Sequence, residues 1–373
     1  MTAPAFSEDD RHFMRVALSL SKRGLGNVWP NPAVGCVLVS SDGAIVGRGH
    51  TQPGGRPHAE RVALDMAGHL ACGATAYVTL EPCSHFGKTP PCAAGLIEAG
   101  VTRVVSAMTD PDPRVSGRGH EMLRAAGIQV DVGLCADEAR RANEGFLSKA
   151  ERGRPFVTLK LASTLDGRSA TATGESQWIT GPKAREAGHL LRANHDAILV
   201  GAKTVIVDDP SLTCRLAGRG HHSPVRVILD RTGEVPVTAK LITTAGDVPT
   251  WLVTSADKFA ELSEKFEKTF VKVIAARCVE GHLDLHDVMS QLATEGLTRI
   301  LVESGGTLGA GLIRSGLVDR IVHYVAPSMI GGDGNAVIAA LGLQGLDDAP
   351  QFKRASVREV GKDIAVTYDK ITD

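Results

Sequence analysis

A chain of 373 residues, 43% hydrophobic and 22% charged, has the make-up of a soluble globular protein and exceeds the size at which one core keeps growing, so two domains are expected. A formal net charge of −1 and only 4% aromatic residues argue against a nucleic-acid partner, which asks for a basic surplus and stacking rings. No apolar run approaches the roughly 20 residues that span a bilayer, no secretion signal opens the chain, and the seven scattered cysteines point to reduced thiols in a cytoplasm.

The first element is a helix in "SEDDRHFMRVALSLSKRG", with Ser7 as cap, acids in the first turn and Phe13, Val16, Ala17 and Leu20 on one face. "VGCVLVS" and "AIVGRG" flank "SDG", a hairpin signal. A helix is expected to start near His58 and to turn Val62, Ala63 and Met66 inward. "ATAYVTL" reads as a strand, "PPCAAGLIEAG" as a helix closed by Gly100, and "VTRVVSAM" as a strand. "GHEMLRAAGIQVDVG" repeats helix and strand, and "ADEARRANEGFLSKA" is expected to be a single helix. The charged stretch "SKAERGRP" has no apolar period and marks the domain boundary, giving residues 1–150 and 151–373. The second part starts with the strand "PFVTLKLAST" and the helix "PKAREAGHLLRAN". The strands "AILVG", "VRVILD", "TWLVT" and "VKVIAA" follow, then the helix "LHDVMSQLATEG" and the strand "TRILVESGG". Alternating helices and strands imply layered α/β sheets in both parts.

Four residues suggest a metal. His58 begins one helix, Cys83 follows a strand end, and Cys92 sits at the start of the next helix, where the helix dipole favours thiolate. Zinc takes such nitrogen and sulfur ligands and, when catalytic, keeps one position open. Glu60 stands two residues from His58, too close to share ligation but able to shuttle protons to and from a water. Each residue alone is more often a cap or a small buried hydrophobe. Together they approach the zinc-deaminase pattern H-x-E followed by P-C-x-x-C. One departure is plain: eight residues, "SHFGKTPP", separate the two cysteines, and they bring in His85 as a rival ligand. With His85 as a fourth ligand the zinc would be structural, and the chain a binding module rather than an enzyme. A nucleoside or nucleic-acid base deaminase is a further alternative.

In the second part, "LVESGGTLGAGLI" places glycines between a strand and a helix, where a phosphate can approach backbone N–H groups, although a tight turn chosen for packing reads the same way. "DGR", "GESQWITG" and "VDDP" also follow strand-like runs, where sites of open α/β sheets are expected.

The strings "WPNPAVG", "PHAE", "TLEPCSHFGKTPPC", "LKLASTLDGR", "GESQWITG", "DDPSLT" and "LVESGGTLGAGLI" run through nearly the whole chain. In them it resembles the bifunctional riboflavin-biosynthesis deaminase/reductase family. The resemblance implies an N-terminal cytidine-deaminase-like α/β/α layer domain and a C-terminal dihydrofolate-reductase-like α/β domain. It also implies that the long insert lies between two cysteine ligands, with zinc on His58, Cys83 and Cys92 and with Glu60 as the proton shuttle. Substrate contacts then fall at Asn31, His50 and Lys88. In the second domain it implies NADPH contacts at Ala162, Trp178, Thr204, Asp208 and the run Gly305, Gly306, Thr307, Leu308, Gly309, Ala310 and Gly311, Ala162 standing where the family has a glycine. Substrate contacts are implied at Ser176, Arg192, Leu212, Arg215 and Glu303, the two arginines suiting a phosphate, and Lys160, pointing from the first strand of this part, is expected to steady a ring-opened sugar. The implied substrate is a small pyrimidine ribosylamine phosphate, first deaminated and then reduced from ribosyl to ribityl, in a homo-oligomer without nucleic-acid or membrane partners.

Overall fold

The computed structural model describes residues 6–85, 90–113, 115–219 and 222–371. It divides into two compact units, Met1–Gly153 and Arg154–Asp373. Among the described residues no helix is long and apolar enough to cross a membrane.

In the first unit Ser7 caps α1 (Glu8–Ser21): its hydroxyl accepts the Asp10 N–H at 3.0 Å, and the Asp10 carboxylate accepts the Ser7 N–H at 3.0 Å. β1 (Gly35–Val39) and β2 (Ile45–His50) form the expected hairpin. There follow α2 (Ala59–Ala67), β3 (Thr75–Val78), α3 (Cys92–Glu98), β4 (Arg103–Ser106), α4 (Arg118–Ala125) and β5 (Gln129–Val132). The sheet order is β2-β1-β3-β4-β5, antiparallel on the hairpin side and parallel from β3 to β5.

Two local expectations need correction. α2 turns Ala59, Glu60, Ala63 and Ala67 inward, while Met66 is 57% exposed. The cause is close packing. A Cβ at Gly47 would stand 2.2 Å from the Ala63 carbonyl oxygen, and one at Gly49 2.3 Å from that of Ala59, so helix and strand meet along a seam where only small residues fit. The last segment is two helices, α5 (Ala136–Ala142) and α6 (Glu144–Arg152), parted at the buried Asn143, whose side-chain amide bonds back to the Ala139 carbonyl. α6 ends at Gly153, in the left-handed conformation that favours glycine.

The second unit opens with β6 (Phe156–Thr164) and β7 (Arg168–Ala170), then α7 (Pro182–Ala193), β8 (Ala197–Gly201), α8 (Ala202–Asp208), β9 (Val225–Leu229), α9 (Lys240–Thr243), β10 (Thr250–Ser255), α10 (Phe259–Lys265) and β11 (Val271–Ala276). A small hairpin, β12 (Cys278–Val279) and β13 (His282–Leu283), precedes α11 (Leu285–Thr294), β14 (Arg299–Val302), α12 (Gly306–Arg314), β15 (Arg320–Ala326), β16 (Asn335–Ala336), β17 (Phe352–Val360) and β18 (Asp363–Lys370). Nine strands join in the order β11-β10-β9-β8-β14-β6-β15-β18-β17, parallel from β11 to β15 and antiparallel at β18 and β17. The parallel strands β8 and β9 are almost continuously apolar and buried, as sheets covered on both faces require.

Candidate active sites

In the first unit, His58 is the non-helical residue that opens α2, and Cys92 opens α3. Cys83 lies in the loop after β3. Its carbonyl accepts the Ala93 N–H at 3.2 Å and its sulfur accepts the Cys92 N–H at 3.3 Å, so the loop is fastened to the start of α3. His58 Nδ1 thereby stands 3.6 Å from Cys83 Sγ and 3.4 Å from Cys92 Sγ, and the three donors lie within 4.8 Å of one another. They fit three corners of a tetrahedral zinc site. Among the described residues this is the one such group; His85 is not part of it.

Hydrogen bonding to Cys92 and His58 pulls the Cys83 thiol down to about 4 against the effect of burial. Cys92, which shares its proton with Cys83 and is buried, is pushed well up. Glu60 is 3% exposed, and burial, reinforced by the negative charge on Cys83, pushes its carboxyl up to about 7.

Asn31 packs its side chain against Gly55, where a Cβ would sit 1.9 Å from its Nδ2. His50 closes β2, and burial together with the charge of Arg23 pushes its pKa down. Lys88 lies outside the described residues. Sequence reasoning passed over Glu81, whose buried carboxylate accepts the N–H groups of Asp110, Gly117, Gly119 and His120 at 3.1, 2.9, 2.8 and 3.3 Å. Its position in "TLEPC" was the available signal, since a carboxylate next to a candidate ligand is seldom idle.

The second unit holds a cavity of about 1380 Å³ at the carboxyl ends of β6, β8, β9 and β14. Of the residues expected there, Lys160, Ala162, Ser176, Trp178, Thr204, Asp208 and Glu303 line it, as do Gly305, Gly306, Thr307, Leu308 and Gly311. Gly305 and Gly201 have open space where a Cβ would project, and among the described residues no side chain caps α12 at Gly305. Trp178 is 66% exposed beneath the Arg185 guanidinium, 4.5 Å from its ring, which rules out a core role.

The remaining expectations fare differently. Gly309 and Ala310 face the core: a Cβ on Gly309 would meet Ile338 and Leu159, and Ala310 is buried. A helix turns only one side to a cavity, which is why Gly309 and Ala310 stand apart from the lining residues of the run 305–311. Arg192 sits behind the cavity wall, binding both oxygens of Glu303 and, through Nη1, the Thr213 carbonyl at 3.0 Å. Leu212 is buried with φ +52, and Arg215 is exposed; neither lines the cavity. The β12–β13 hairpin contributes Val279, Glu280, His282 and Leu283 to the lining and carries no motif by which it could have been found.

Comparison with known proteins agrees with both halves. The family described as cytidine and deoxycytidylate deaminase zinc-binding region matches residues 7–108, and the RibD C-terminal domain family matches residues 155–366. The riboflavin biosynthesis protein RibD of Escherichia coli is 44% identical over 96% of this chain and 98% of its own. That of Aquifex aeolicus is 42% identical over 97% and 99%. Among solved structures, Acinetobacter baumannii RibD superposes with a TM-score of 0.88 at 38% identity, covering 98% of this chain and 99% of that one. A deaminase/reductase of Thermotoga maritima, described as diaminohydroxyphosphoribosylaminopyrimidine deaminase and 5-amino-6-(5-phosphoribosylamino)uracil reductase, gives 0.84 at 34% identity over 97% and 99%. The chain belongs to the RibD family of riboflavin biosynthesis proteins.

Proposed function

We propose that the first unit deaminates diaminohydroxyphosphoribosylaminopyrimidine and that the second reduces the resulting phosphoribosylamino-uracil, the two reactions named for the Thermotoga maritima relative. The observation that carries this reading is the convergence of His58, Cys83 and Cys92 beside the buried Glu60, in a chain whose other unit holds a separate glycine-edged cavity.

In the first unit His58 Nδ1 and the two sulfurs would hold zinc, which when bound makes water a nucleophile near neutral pH. Glu60, with its carboxyl pushed up to about 7, takes a proton readily and gives it up readily. It therefore carries the proton from the attacking water to the departing amine. Asn31, His50 and Lys88 are assigned to the substrate.

In the second unit NADPH supplies the hydride. The N–H groups from Gly305 to Leu308 would receive its phosphates, and the exposed Trp178, Ala162, Thr204 and Asp208, which line the same cavity, would border the rest. Ser176, Lys160 and Glu303 meet the ring-opened sugar. Lys160, 3.8 Å from Glu303 and on the cavity lining, would be the side chain placed to give a proton to the sugar. Arg192 acts from behind by fixing Glu303. We assign the phosphate of this substrate to Arg215 and the loop around Leu212, outside the cavity lining, where the Arg215 N–H bonds to His189 Nδ1 at 3.4 Å. The unpaired state of all seven cysteines supports a cytoplasmic setting, and a homo-oligomer is the assembly expected.

The test is a mass assay on the diaminopyrimidine substrate. Without NADPH the product should show amino-to-oxo exchange; with NADPH it should also gain two hydrogens. Absence of the first change in zinc-loaded protein would refute the deaminase assignment, and absence of the second the reductase assignment.

A further inference from the structure

We propose that Glu81 is a positioning residue for the metal centre, holding the Cys83 loop against the segment that leads into α4. This inference rests on the deaminase reading of the first unit and adds a residue to it.

Glu81 immediately precedes Pro82 and Cys83, and its side chain is fully shielded from water. A buried carboxylate is costly unless every lone pair is engaged. Here four backbone N–H groups engage it: Asp110 and Gly117 on one oxygen, Gly119 and His120 on the other. The Glu81 N–H itself bonds to the Met108 carbonyl at 3.0 Å. Among the described residues the nearest side chain able to carry positive charge, His120 with Nδ1 at 3.9 Å, has its pKa pushed down by burial. Among the described residues the carboxylate is thus held by backbone N–H groups, two of them at the start of α4.

The fit is close on the backbone side as well. A Cβ at Gly119 would lie 2.0 Å from the Pro82 carbonyl oxygen, so α4 abuts the peptide that delivers Cys83. Among the described residues Cys83 is also fastened at its far side, to Cys92 and Ala93 at the start of α3, with its sulfur 3.6 Å from His58 Nδ1. One ligand is therefore placed by two anchors, one on each side of the loop, and Glu81 is the side-chain anchor.

Two substitutions loosen this anchor by different means. Glu81→Gln keeps the shape but turns an –NH₂ toward N–H donors, and Gly119→Ala leaves the carboxylate intact and displaces Pro82. In the full-length chain, metal affinity is measured by chelator competition, and ligand geometry by the sulfur-to-metal charge-transfer absorption of the cobalt(II)-substituted protein. Both variants should bind metal ~10–100-fold more weakly and show altered cobalt spectra, with NADPH-dependent reduction unchanged. Wild-type affinity and spectrum in both folded variants overturn the inference while leaving the deaminase reading intact. Failure of the wild-type chain itself to bind metal overturns both together. If neither variant folds its first unit, as judged by backbone amide exchange in β1 and β3, Glu81 serves the fold as a whole and the inference also falls.

Discussion

Arg192 grips Glu303 through two parallel bonds, Nε to Oε1 at 2.8 Å and Nη2 to Oε2 at 3.0 Å, so that a carboxylate on the cavity wall is held rigidly from behind. Burial alone would raise the pKa of Glu303, but the charges of Arg192 and Lys160 bring it down to about 2. A depressed carboxylate contributes fully above its ordinary value of 4.5, and that contribution is lost as pH falls toward 2. Arg192→Met removes the larger opposing charge, and Glu303 then titrates higher. The reductase should acquire an acid limb at higher pH than the wild type, and the second unit should lose about 1–3 kcal/mol of stability, Lys160 still facing the carboxylate that has lost its two guanidinium bonds. Rates of NADPH oxidation across pH check this, and an unmoved acid limb would separate the pair from the reductase site.

Glu60 and the three donors beside it predict a division between binding and chemistry. Glu60→Gln should keep zinc in full but deaminate ~10²–10⁴-fold more slowly. Cys83→Ser should lose the metal as well. Chelation of the wild type should abolish deamination and spare reduction. Metal content and the two activities, measured on each protein, distinguish these outcomes; a chelated chain that still deaminates would contradict the metal assignment.

Asp10 predicts how the first unit responds to acid. Its carboxylate accepts the Ser7 N–H, the Tyr77 hydroxyl at 2.8 Å and the Arg103 guanidinium, Nη1 at 2.7 Å and Nη2 at 3.2 Å. Burial opposes the charge, yet Arg103, Ser7 and Tyr77 together lower its pKa from 3.8 to about 2. Asp10→Asn should destabilise the first unit by about 2–4 kcal/mol at neutral pH. The gap should close as pH falls from 3.8 toward 2, because the wild-type carboxylate is then protonated too. Urea midpoints at neutral and acid pH test this, and a gap that stays constant would mean the charge plays no part.

What the sequence made legible was local. The Ser7 cap, the β1–β2 hairpin and the placing of His58 and Cys92 at helix starts all depend on neighbours a few residues apart, and propensity and spacing report such neighbours. Met66 was misjudged because it is the depth of the groove between α2 and β2 that selects small residues, and periodicity alone does not measure depth. The break at Asn143 was invisible because the segment keeps a helical composition through it. β6 lies between β14 and β15, whose residues are well over a hundred positions away, and no local pattern encodes such an order. The roles of Arg192 and of the β12–β13 hairpin depend on that order, and so only the folded chain places them.

The seam between α2 and β2 gives the last prediction. Gly49 faces the first turn of α2, where an added Cβ would stand 2.3 Å from the Ala59 carbonyl oxygen and 2.8 Å from the Ala63 nitrogen. These are backbone atoms of the turn that carries Glu60 and follows His58, so they have no flexible side chain with which to give way. Gly49→Ala must therefore shift the helix start. We expect a cost of about 1–3 kcal/mol in the first unit, weaker metal binding and slower deamination, with reduction unchanged in the same preparation. Calorimetry, chelator competition and paired activity assays measure all three. A variant that loses stability but keeps wild-type metal affinity and deamination would show that the helix start can move without disturbing His58 and Glu60, and that the glycine serves packing alone.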